Sequence, residues 1–102
     1  MSFDLFIKPR AELDLLEAYY YYEGLSDGIG AALVHCVGEK MEFISNNPRA
    51  CPIKCRDIRR ALVPKFPYGI YYKIEETRIV IFGILDLRQD PHSIQFRLEK
   101  ED

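Results

Sequence analysis

Residues 68–86 read YGIYYKIEETRIVIFGILD, and this stretch decides the fold. In its first half, apolar side chains alternate with polar or small ones, which is typical of a strand with one apolar face. The apolar positions are Tyr68, Ile70, Tyr72 and Ile74. After Glu76 and Thr77, which suit a turn, residues 78–86 are apolar on both faces and predict an interior strand. The stretch therefore predicts two neighbouring strands, the second of them inside a sheet.

Two further strands are predicted upstream. Residues 55–63 form an extended segment with poor alternation, and residues 49–54 before it are expected to be a loop. Near the N-terminus, residues 3–8 predict a short opening strand. Pro9 ends that strand and suits the start of a helix, because proline donates no backbone hydrogen bond and has a helical φ angle.

The segment that follows the opening strand predicts two helices. In residues 9–23, apolar side chains recur at steps of three and four, which is typical of an amphipathic helix. We expect its buried stripe to contain Leu13, Leu16 and Tyr20, widened by Leu15, Ala18, Tyr19 and Tyr22.

The second helix is predicted over residues 28–46, with Asp27 as the cap of its first turn. Its core face is expected to contain Ile29, Leu33, Val37, Met41 and Ile44. Three glycines lower its helix propensity, and therefore predict close packing against another element. Since only a few polar residues separate the two helices, they should form an antiparallel hairpin.

The residues from Pro91 onward predict a polar tail with a short helix that docks through Ile94, Phe96 and Leu98. The predicted order is strand, helix, helix and three consecutive strands. This order indicates an α+β fold, a small antiparallel-rich sheet with the helical hairpin packed on one face. A chain of 102 residues fits one domain, residues 1–102.

Composition indicates a soluble protein of the cytoplasm. Hydrophobic residues make up 48% of the chain, enough for a core without disulfides or a metal. The three cysteines, Cys36, Cys51 and Cys55, fit no disulfide framework and favour free thiols in a reducing compartment. The N-terminus lacks the pattern of a signal peptide, and the longest apolar run, residues 79–85, is too short to span a membrane.

Charge is distributed unevenly along the chain, whose net charge is -2. Residues 1–48 carry -5, residues 49–73 carry +6 and residues 74–102 carry -3. The basic residues of the middle segment are Arg49, Lys54, Arg56, Arg59, Arg60, Lys65 and Lys73. Beside an aromatic strand, they predict a surface for a polyanion or for a protein, or a solvated sheet edge.

Catalytic and metal-binding patterns are weak. His35 lies mid-helix near the apolar face, where a core or boundary position is expected, and no nucleophile is spaced to pair with His92. Cys51 and Cys55 lack the second pair that a structural zinc site requires, so we expect no metal. No glycine-rich phosphate loop follows a strand, and we expect no cofactor. A solvated helix face is expected for Asp4, Asp14, Glu17 and Glu23.

RNA cleavage without a metal would need cations for the phosphorane charge and two groups that move protons. Arg56, Arg60 and Arg88 could supply the cations. The groups available for proton transfer are Tyr68, Tyr71, Tyr72 and His92. Tyrosine with an ordinary pKa is a weak base near neutrality, and a tyrosine-rich strand is more often core than catalytic.

Several stretches give the chain a resemblance to the RelE/ParE superfamily of bacterial toxins, and more closely to its ParE-like plasmid-stabilisation branch. They are AELDLLEAYYYYE (11–23), GLSDGIGAALVHCVGEKMEFISNNP (24–48), RRALVPKFPYGIYYKIE (59–75) and ILDLRQDPHSIQFR (84–97). The resemblance covers nearly the whole chain in order. It implies the same strand, helix, helix and three-strand fold that the residue patterns predict.

The tail departs from the family pattern, which is His-x-Arg-Arg-Asp-Pro-x-x-Trp. This chain has Asp86 in place of the histidine, Gln89 in place of the second arginine and Ile94 in place of the tryptophan. It retains Arg88, Asp90 and Pro91. An acid beside the expected phosphate site weakens the case for RNA cleavage.

The resemblance implies a toxin that binds and inhibits a target enzyme, usually DNA gyrase, and that needs no catalytic set of its own. One alternative is a RelE-like endonuclease acting on mRNA in the ribosome, which a net charge of -2 disfavours because RNA is a polyanion. Another is a degenerate member that only binds an antitoxin. Each implies a small cognate antitoxin that wraps the hairpin and the sheet.

We expect the antitoxin or the target to contact a set of mostly basic and aromatic residues. They are Arg56, Arg59, Arg60, Lys65, Tyr72, Arg88, His92 and Phe96. One face of the aromatic strand is expected to be core. Beside it, Arg56, Arg59, Arg60 and Lys65 are expected to form a charged rim for an acidic antitoxin tail.

Overall fold

The computed structural model describes residues 2–100, which fold into five strands and three helices. In chain order these are β1 (Asp4–Ile7), α1 (Pro9–Leu25), α2 (Ile29–Asn46), β2 (Ile53–Cys55), β3 (Ile58–Leu62), β4 (Tyr68–Glu75), β5 (Arg78–Asp86) and α3 (Pro91–Glu99). The order confirms the predicted α+β architecture. β2 is an additional strand that begins in the predicted loop and ends at Cys55, the first residue of the predicted extended segment. Its three residues are too few to show alternation.

The strands form one mixed sheet in the order β1-β5-β4-β3-β2. β1 runs parallel to β5 and pairs Asp4 with Arg78 and Ile7 with Ile81, whereas the other neighbours are antiparallel. β5 therefore lies between β1 and β4, as predicted from its two apolar faces. Because β1 pairs only as far as Ile81, the edge of β5 from Phe82 to Asp86 extends beyond it.

The hairpin of α1 and α2 packs on one face of this sheet. From the sheet, the main core contains Tyr68, Ile70, Tyr72, Ile79, Ile81 and Ile84. From α2 it contains Leu33, Val37, Met41 and Ile44, which confirms the predicted face of this helix. Ile29 is only half-buried, and Gly30 lies at the helix contact instead.

The buried stripe of α1 agrees only in part with the predicted one. Leu13, Leu16 and Tyr20 are 44%, 49% and 65% exposed. The buried residues are Ala11, Asp14 and Ala18. Small alanines allow the helix to approach the sheet closely, and the Asp14 carboxylate, predicted to be solvated, accepts a hydrogen bond from the backbone N–H of Ile84 at the sheet edge. The sequence spacing correctly predicts a helix. Of its predicted stripe, Ala18 is buried and Leu15 and Tyr22 pack against the core, whereas Leu13, Leu16 and Tyr20 lie on the opposite side.

The other face of the sheet is partly covered by α3. Leu98 packs there in a second buried cluster with Ile58, Tyr71 and Leu85. β4 therefore has apolar contacts on both faces, where the sequence predicts one. The predicted tail helix is confirmed, but Phe96 does not dock on the body and is 61% exposed.

The connection between α1 and α2 is held by Glu23. Its carboxylate accepts hydrogen bonds from the backbone N–H groups of Gly28 and Gly30, both at 2.9 Å. Gly28 has φ of 90° and precedes the first residue of α2, so Glu23 satisfies the amides for which Asp27 was the predicted cap. A Cβ added to Gly30 would lie 2.6 Å from the backbone oxygen of Tyr19, which confirms close packing at this glycine.

The strand connections use residues with positive φ angles that are not glycine. These are Arg56 between β2 and β3, Lys65 between β3 and β4, and Glu76 between β4 and β5. The predicted turn at Glu76 and Thr77 is confirmed. Among the helices of residues 2–100, none has the length and apolarity needed to cross a membrane.

Candidate functional site

An apolar groove runs along the solvent side of the helical hairpin. Leu13, Leu16 and Tyr20 share one side of α1, since residues three or four apart on a helix lie on the same face. On α2 the same spacing recurs in three exposed residues, Ala31, Val34 and Gly38. We call these six residues the hairpin groove.

Between the helices, the hairpin groove deepens into a crevice of about 290 Å³. Leu16 and Tyr19 of α1 and Val34 of α2 line it, together with Ile7 and Ile84 of the sheet. A concave, mainly apolar site of this shape accepts large apolar side chains from one face of a partner helix.

The helical hairpin that carries the groove is rich in carboxylates. Residues 9–46 contain two basic and seven acidic residues, and Glu12 lines the crevice itself. Glu39 is exposed, and its Oε2 lies 3.5 Å from Nε2 of His35. The prediction of a core or boundary position for His35 is wrong, because its side chain is 73% exposed on the solvent side of α2.

Two of the predicted contact residues hold the loop between α2 and β2. Arg59 donates from Nη1 to the carbonyl oxygens of Cys51 at 2.7 Å and Arg49 at 3.2 Å. Tyr72 is fully buried, and its hydroxyl donates to the carbonyl of Pro48 at 2.7 Å. Burial raises the pKa of the Tyr72 phenol, which therefore stays protonated at neutral pH. Tyr72 has no exposed surface for a partner, so it is core.

Arg60 lies on the opposite face of the sheet from Arg59. In the register of β3 and β4, Arg59 pairs with Tyr72 and Arg60 with Tyr71, and these tyrosines belong to different buried clusters. The alkyl chain of Arg60 lies over Gly69, where an added Cβ would be 3.1 Å from Arg60 Cγ and Cδ. Adjacent arginines on a strand cannot share a face.

Arg56 and Lys65 are exposed, but at opposite ends of β3. β3 has five residues, a length of about 17 Å at the usual rise per residue. The predicted rim of Arg56, Arg59, Arg60 and Lys65 is therefore not one continuous patch.

Arg88 is paired with Asp86, the residue that occupies the histidine position of the family pattern. Arg88 donates from Nη2 to Asp86 Oδ2 at 2.8 Å and from Nε to Oδ1 at 3.1 Å. Its Nη2 also lies 3.4 Å from the Tyr22 hydroxyl. The Arg88 guanidinium holds the pKa of the Asp86 carboxyl below its usual range. Asp86 thus neutralises the predicted phosphate-binding cation.

His92 and Phe96 lie one helical turn apart on α3, and both are exposed. The backbone N–H of His92 donates to Asp90 Oδ1 at 3.0 Å, which caps the helix. Lys100 stacks over the Phe96 ring at 4.7 Å. Within residues 2–100, no group of three or more His, Cys, Asp or Glu side chains is placed to hold a metal ion.

A polar cavity of about 380 Å³ lies between α1 and the end of β5. Its lining includes Arg10, Glu17, Tyr68, Gln89 and Arg97. Desolvation, with a smaller contribution from the nearby Asp86 charge, raises the pKa of the Tyr68 phenol to about 12. Tyr68 is therefore a poor general base at neutral pH, since its hydroxyl stays protonated.

Comparison with known proteins agrees with the sequence resemblance. The profile of the family described as "ParE toxin of type II toxin-antitoxin system, parDE" matches residues 5–91. Among solved structures, the fold is similar to that of a chain in "Chromosomal ParDE TA system from P. aeruginosa", with a TM-score of 0.77 and 18% identity. That alignment covers 85% of this chain and 98% of the other. Among curated protein sequences, none matches this chain.

At 18% identity the structural similarity establishes a shared fold. The profile match spans most of the chain and confirms the predicted family. This chain belongs to the ParE toxin family of type II toxin–antitoxin systems.

Proposed function

We propose that this protein is a toxin that acts in the cytoplasm by binding and inhibiting DNA gyrase, and that a small cognate antitoxin neutralises it. The observation that carries the proposal is the hairpin groove with its apolar crevice, in a chain of a toxin family. Contiguous apolar surface on a soluble protein commonly marks a binding site. An antitoxin helix whose apolar face enters the groove would cover this surface.

Inhibition by binding, rather than RNA cleavage, is favoured by the Asp86–Arg88 pair. A cation that is already neutralised at 2.8 Å is poorly placed to stabilise developing phosphorane charge. The tyrosines considered for proton transfer are no better placed, because Tyr71 and Tyr72 are buried and the Tyr68 hydroxyl stays protonated. His92 is exposed on α3, but no nucleophile is spaced to pair with it. The proposal therefore assigns no catalytic residue. Arg56, Lys65, His92 and Phe96 are exposed and stay proposed contacts for the target or the antitoxin.

Induction of the chain alone in a bacterial host tests this function. Labelled thymidine and methionine would be followed over the first minutes, and we expect DNA synthesis to fail first. Purified protein should also inhibit plasmid supercoiling by gyrase. Early failure of protein synthesis would instead indicate ribosome-dependent cleavage of mRNA. If neither fell while folded protein accumulated, the chain would be a member that only binds its antitoxin.

Neutralisation has its own test, with a matched pair of exposed leucines. Leu16 lies in the hairpin groove and Leu62 lies on β3, and they are 49% and 56% exposed. Co-expression of the small protein encoded beside the toxin should rescue the wild type and Leu62→Glu, but not Leu16→Glu. Rescue of Leu16→Glu would place the antitoxin elsewhere on the surface. Expression of each variant without the antitoxin is the control for toxicity.

A further inference from the structure

We propose that the antitoxin segment that enters the hairpin groove is an amphipathic helix whose apolar face is flanked by lysine or arginine. This inference rests on the proposed function, and it names the chemistry of the partner. It differs from the sequence expectation, in which an acidic antitoxin tail meets the basic residues of the sheet.

The charge of the hairpin supports a basic partner. Residues 9–46 carry two basic and seven acidic residues, a net charge of -5. Some of these acids are engaged inside the protein: Asp14 is buried and Glu23 caps α2. The remaining acids are exposed: Glu12, Glu17, Asp27, Glu39 and Glu42.

The two basic residues of the hairpin offset only part of this charge. Arg10 lies between two carboxylates, with Nη1 at 3.6 Å from Asp14 and 3.7 Å from Glu17. Lys40 stacks over Phe43 at 4.6 Å. Phe43 follows Val34 by nine positions, which at about 100° per residue places it on the opposite side of α2 from the groove.

The acids lie beside the apolar residues along both helices. On α1, Glu12 and Glu17 flank Leu13 and Leu16 in sequence, and Glu12 also lines the crevice. On α2, Glu42 lies one turn beyond Gly38, which continues the same side of the helix. A partner helix that lies in the groove therefore has its flanks beside carboxylates.

A partner helix with acidic flanks would bring like charges together, whereas lysine or arginine flanks would pair with the exposed carboxylates beside the groove. Exposed pairs of this kind contribute more to association rate and to specificity than to the free energy of binding. The apolar contacts would supply affinity, and the exposed carboxylates beside the groove would select the partner.

Two synthetic peptides test the proposal against the purified full chain. Each would have about 18 residues, roughly five helical turns, with the same apolar stripe and with flanks of either lysine or glutamate. A third peptide would keep the lysine composition but scramble the apolar positions. Binding would be measured by fluorescence anisotropy at low and at high ionic strength.

We expect the lysine-flanked peptide to bind about tenfold more tightly than the glutamate-flanked one at low salt, with a smaller ratio at high salt. The scrambled peptide should bind weakly. Leu16→Ala should weaken binding of the lysine-flanked peptide, whereas Leu62→Ala should leave it unchanged. The double variant Glu12→Gln, Glu42→Gln should reduce the preference for lysine flanks without affecting the fold.

Equal binding of both amphipathic peptides, or a preference for glutamate flanks, would overturn the inference. Equal effects of Leu16→Ala and Leu62→Ala would also overturn it, because binding would then not involve the hairpin groove. Failure of the toxin assignment is separate. A chain that leaves DNA synthesis intact but prefers lysine flanks through Leu16 would retain the groove and its partner chemistry while losing the gyrase target.

Discussion

The carboxylate of Asp14 and the guanidinium of Arg97, 83 positions apart, form a bidentate ion pair with distances of 3.0 and 2.8 Å. The pair lies at the edge of β5 that β1 leaves uncovered. Asp14 Oδ2 accepts a hydrogen bond from the backbone N–H of Ile84 at 3.1 Å, and Arg97 Nη2 donates to the carbonyl of Phe82 at 3.1 Å. Together the two side chains satisfy backbone groups at this edge, as a neighbouring strand would, and they connect α1 to α3.

Arg97→Met should lower the free energy of unfolding by about 3 kcal/mol, because it leaves the buried Asp14 carboxylate with a weakened set of partners. The Asp14 side chain is 5% exposed and that of Arg97 is 19% exposed, so solvent screens the pair little. Equilibrium urea unfolding would measure the change. Arg78→Met is the matched control, because Arg78 pairs with Glu75 at the surface and should change stability by about 0.5 kcal/mol or less. A similar cost for both variants would contradict a special role for the Asp14–Arg97 pair.

Gly30→Ala should destabilise the protein by about 2 kcal/mol, since its Cβ would lie 2.6 Å from the backbone oxygen of Tyr19 and the helices would have to separate. Thermal or urea unfolding would show the loss. Unchanged stability would mean that the hairpin can shift by several tenths of an ångström without cost.

Gly38→Ala should have the opposite effect. A Cβ there meets nothing within 4 Å, and alanine has the higher helix propensity by about 1 kcal/mol. We expect stability to rise by up to that amount. The added methyl group lies in the hairpin groove, so the same variant should bind the lysine-flanked peptide less well. Higher stability with unchanged peptide affinity would place the peptide away from Gly38.

The alkaline limit of stability should depend on Tyr68. Its pKa is raised from 10.0 to about 12 in the folded protein, so the unfolded chain releases the phenolic proton at a lower pH than the folded protein does. The corresponding stability is therefore present below pH 10 and is lost as the pH rises toward 12. In urea unfolding across this pH range, Tyr68→Phe should make the loss of stability with rising pH shallower. The buried Tyr72 should account for part of the loss that remains. The exposed Tyr20→Phe should keep the wild-type decline, and the same change in both variants would contradict the assignment.

The acid limit of stability should depend in part on Glu23. The hydrogen bond from the backbone N–H of Gly28 is the main reason that its pKa lies below the ordinary value of 4.5. A carboxyl with a lowered folded pKa stabilises the protein above its unfolded pKa, and this contribution is lost as the pH falls through the folded value. Glu23→Gln should therefore flatten the stability decline below pH 4.5. Glu12→Gln removes an exposed charge from the same helix and should leave the decline in place.

Local periodicity was sufficient to predict most of the fold. The alternation in β4, the apolar run of β5 and the spacing in α2 each carry information within a few residues, and all three elements form as predicted. β2 is three residues long, and its turn is made by Arg56 in a conformation that usually indicates glycine or asparagine, so neither feature was visible. Neither the short strand β2 nor its turn at Arg56 has a local signal in the sequence.

The face of α1 could not be predicted from local pattern, because the helix has two apolar sides. Leu13, Leu16 and Tyr20 form one apolar side, and Ala11, Leu15, Ala18 and Tyr22 form the other, which packs on the core. The core side also carries Asp14, whose partner Arg97 is distant in sequence and lies in another helix. A carboxylate amid alanines suggests a solvated position unless its partner is known. The sequence therefore does not predict the hairpin groove, since its leucines are expected in the core.

The contact residues of the sheet are predicted from basic residues beside an aromatic strand, a pattern that does not specify the face on which each side chain lies. Arg59 and Arg60 are adjacent, so they necessarily point to opposite sides. Their different partners, loop carbonyls for Arg59 and the surface of Gly69 for Arg60, depend on the register of β3 with β4. That register is a tertiary property, fixed when the whole sheet assembles.

The pairing of β1 with β5 also determines when the toxin can exist during translation. The first strand of the nascent chain pairs with a strand that begins at residue 78. At about 5–20 residues per second, the ribosome takes several seconds to make the intervening chain, and the hairpin has no completed sheet to pack on in that time. β5, an interior strand of the sheet, is therefore the last of the five strands to be made. A chain that terminates before residue 78 lacks it entirely, so premature termination should yield a protease-sensitive fragment and not a partly active toxin.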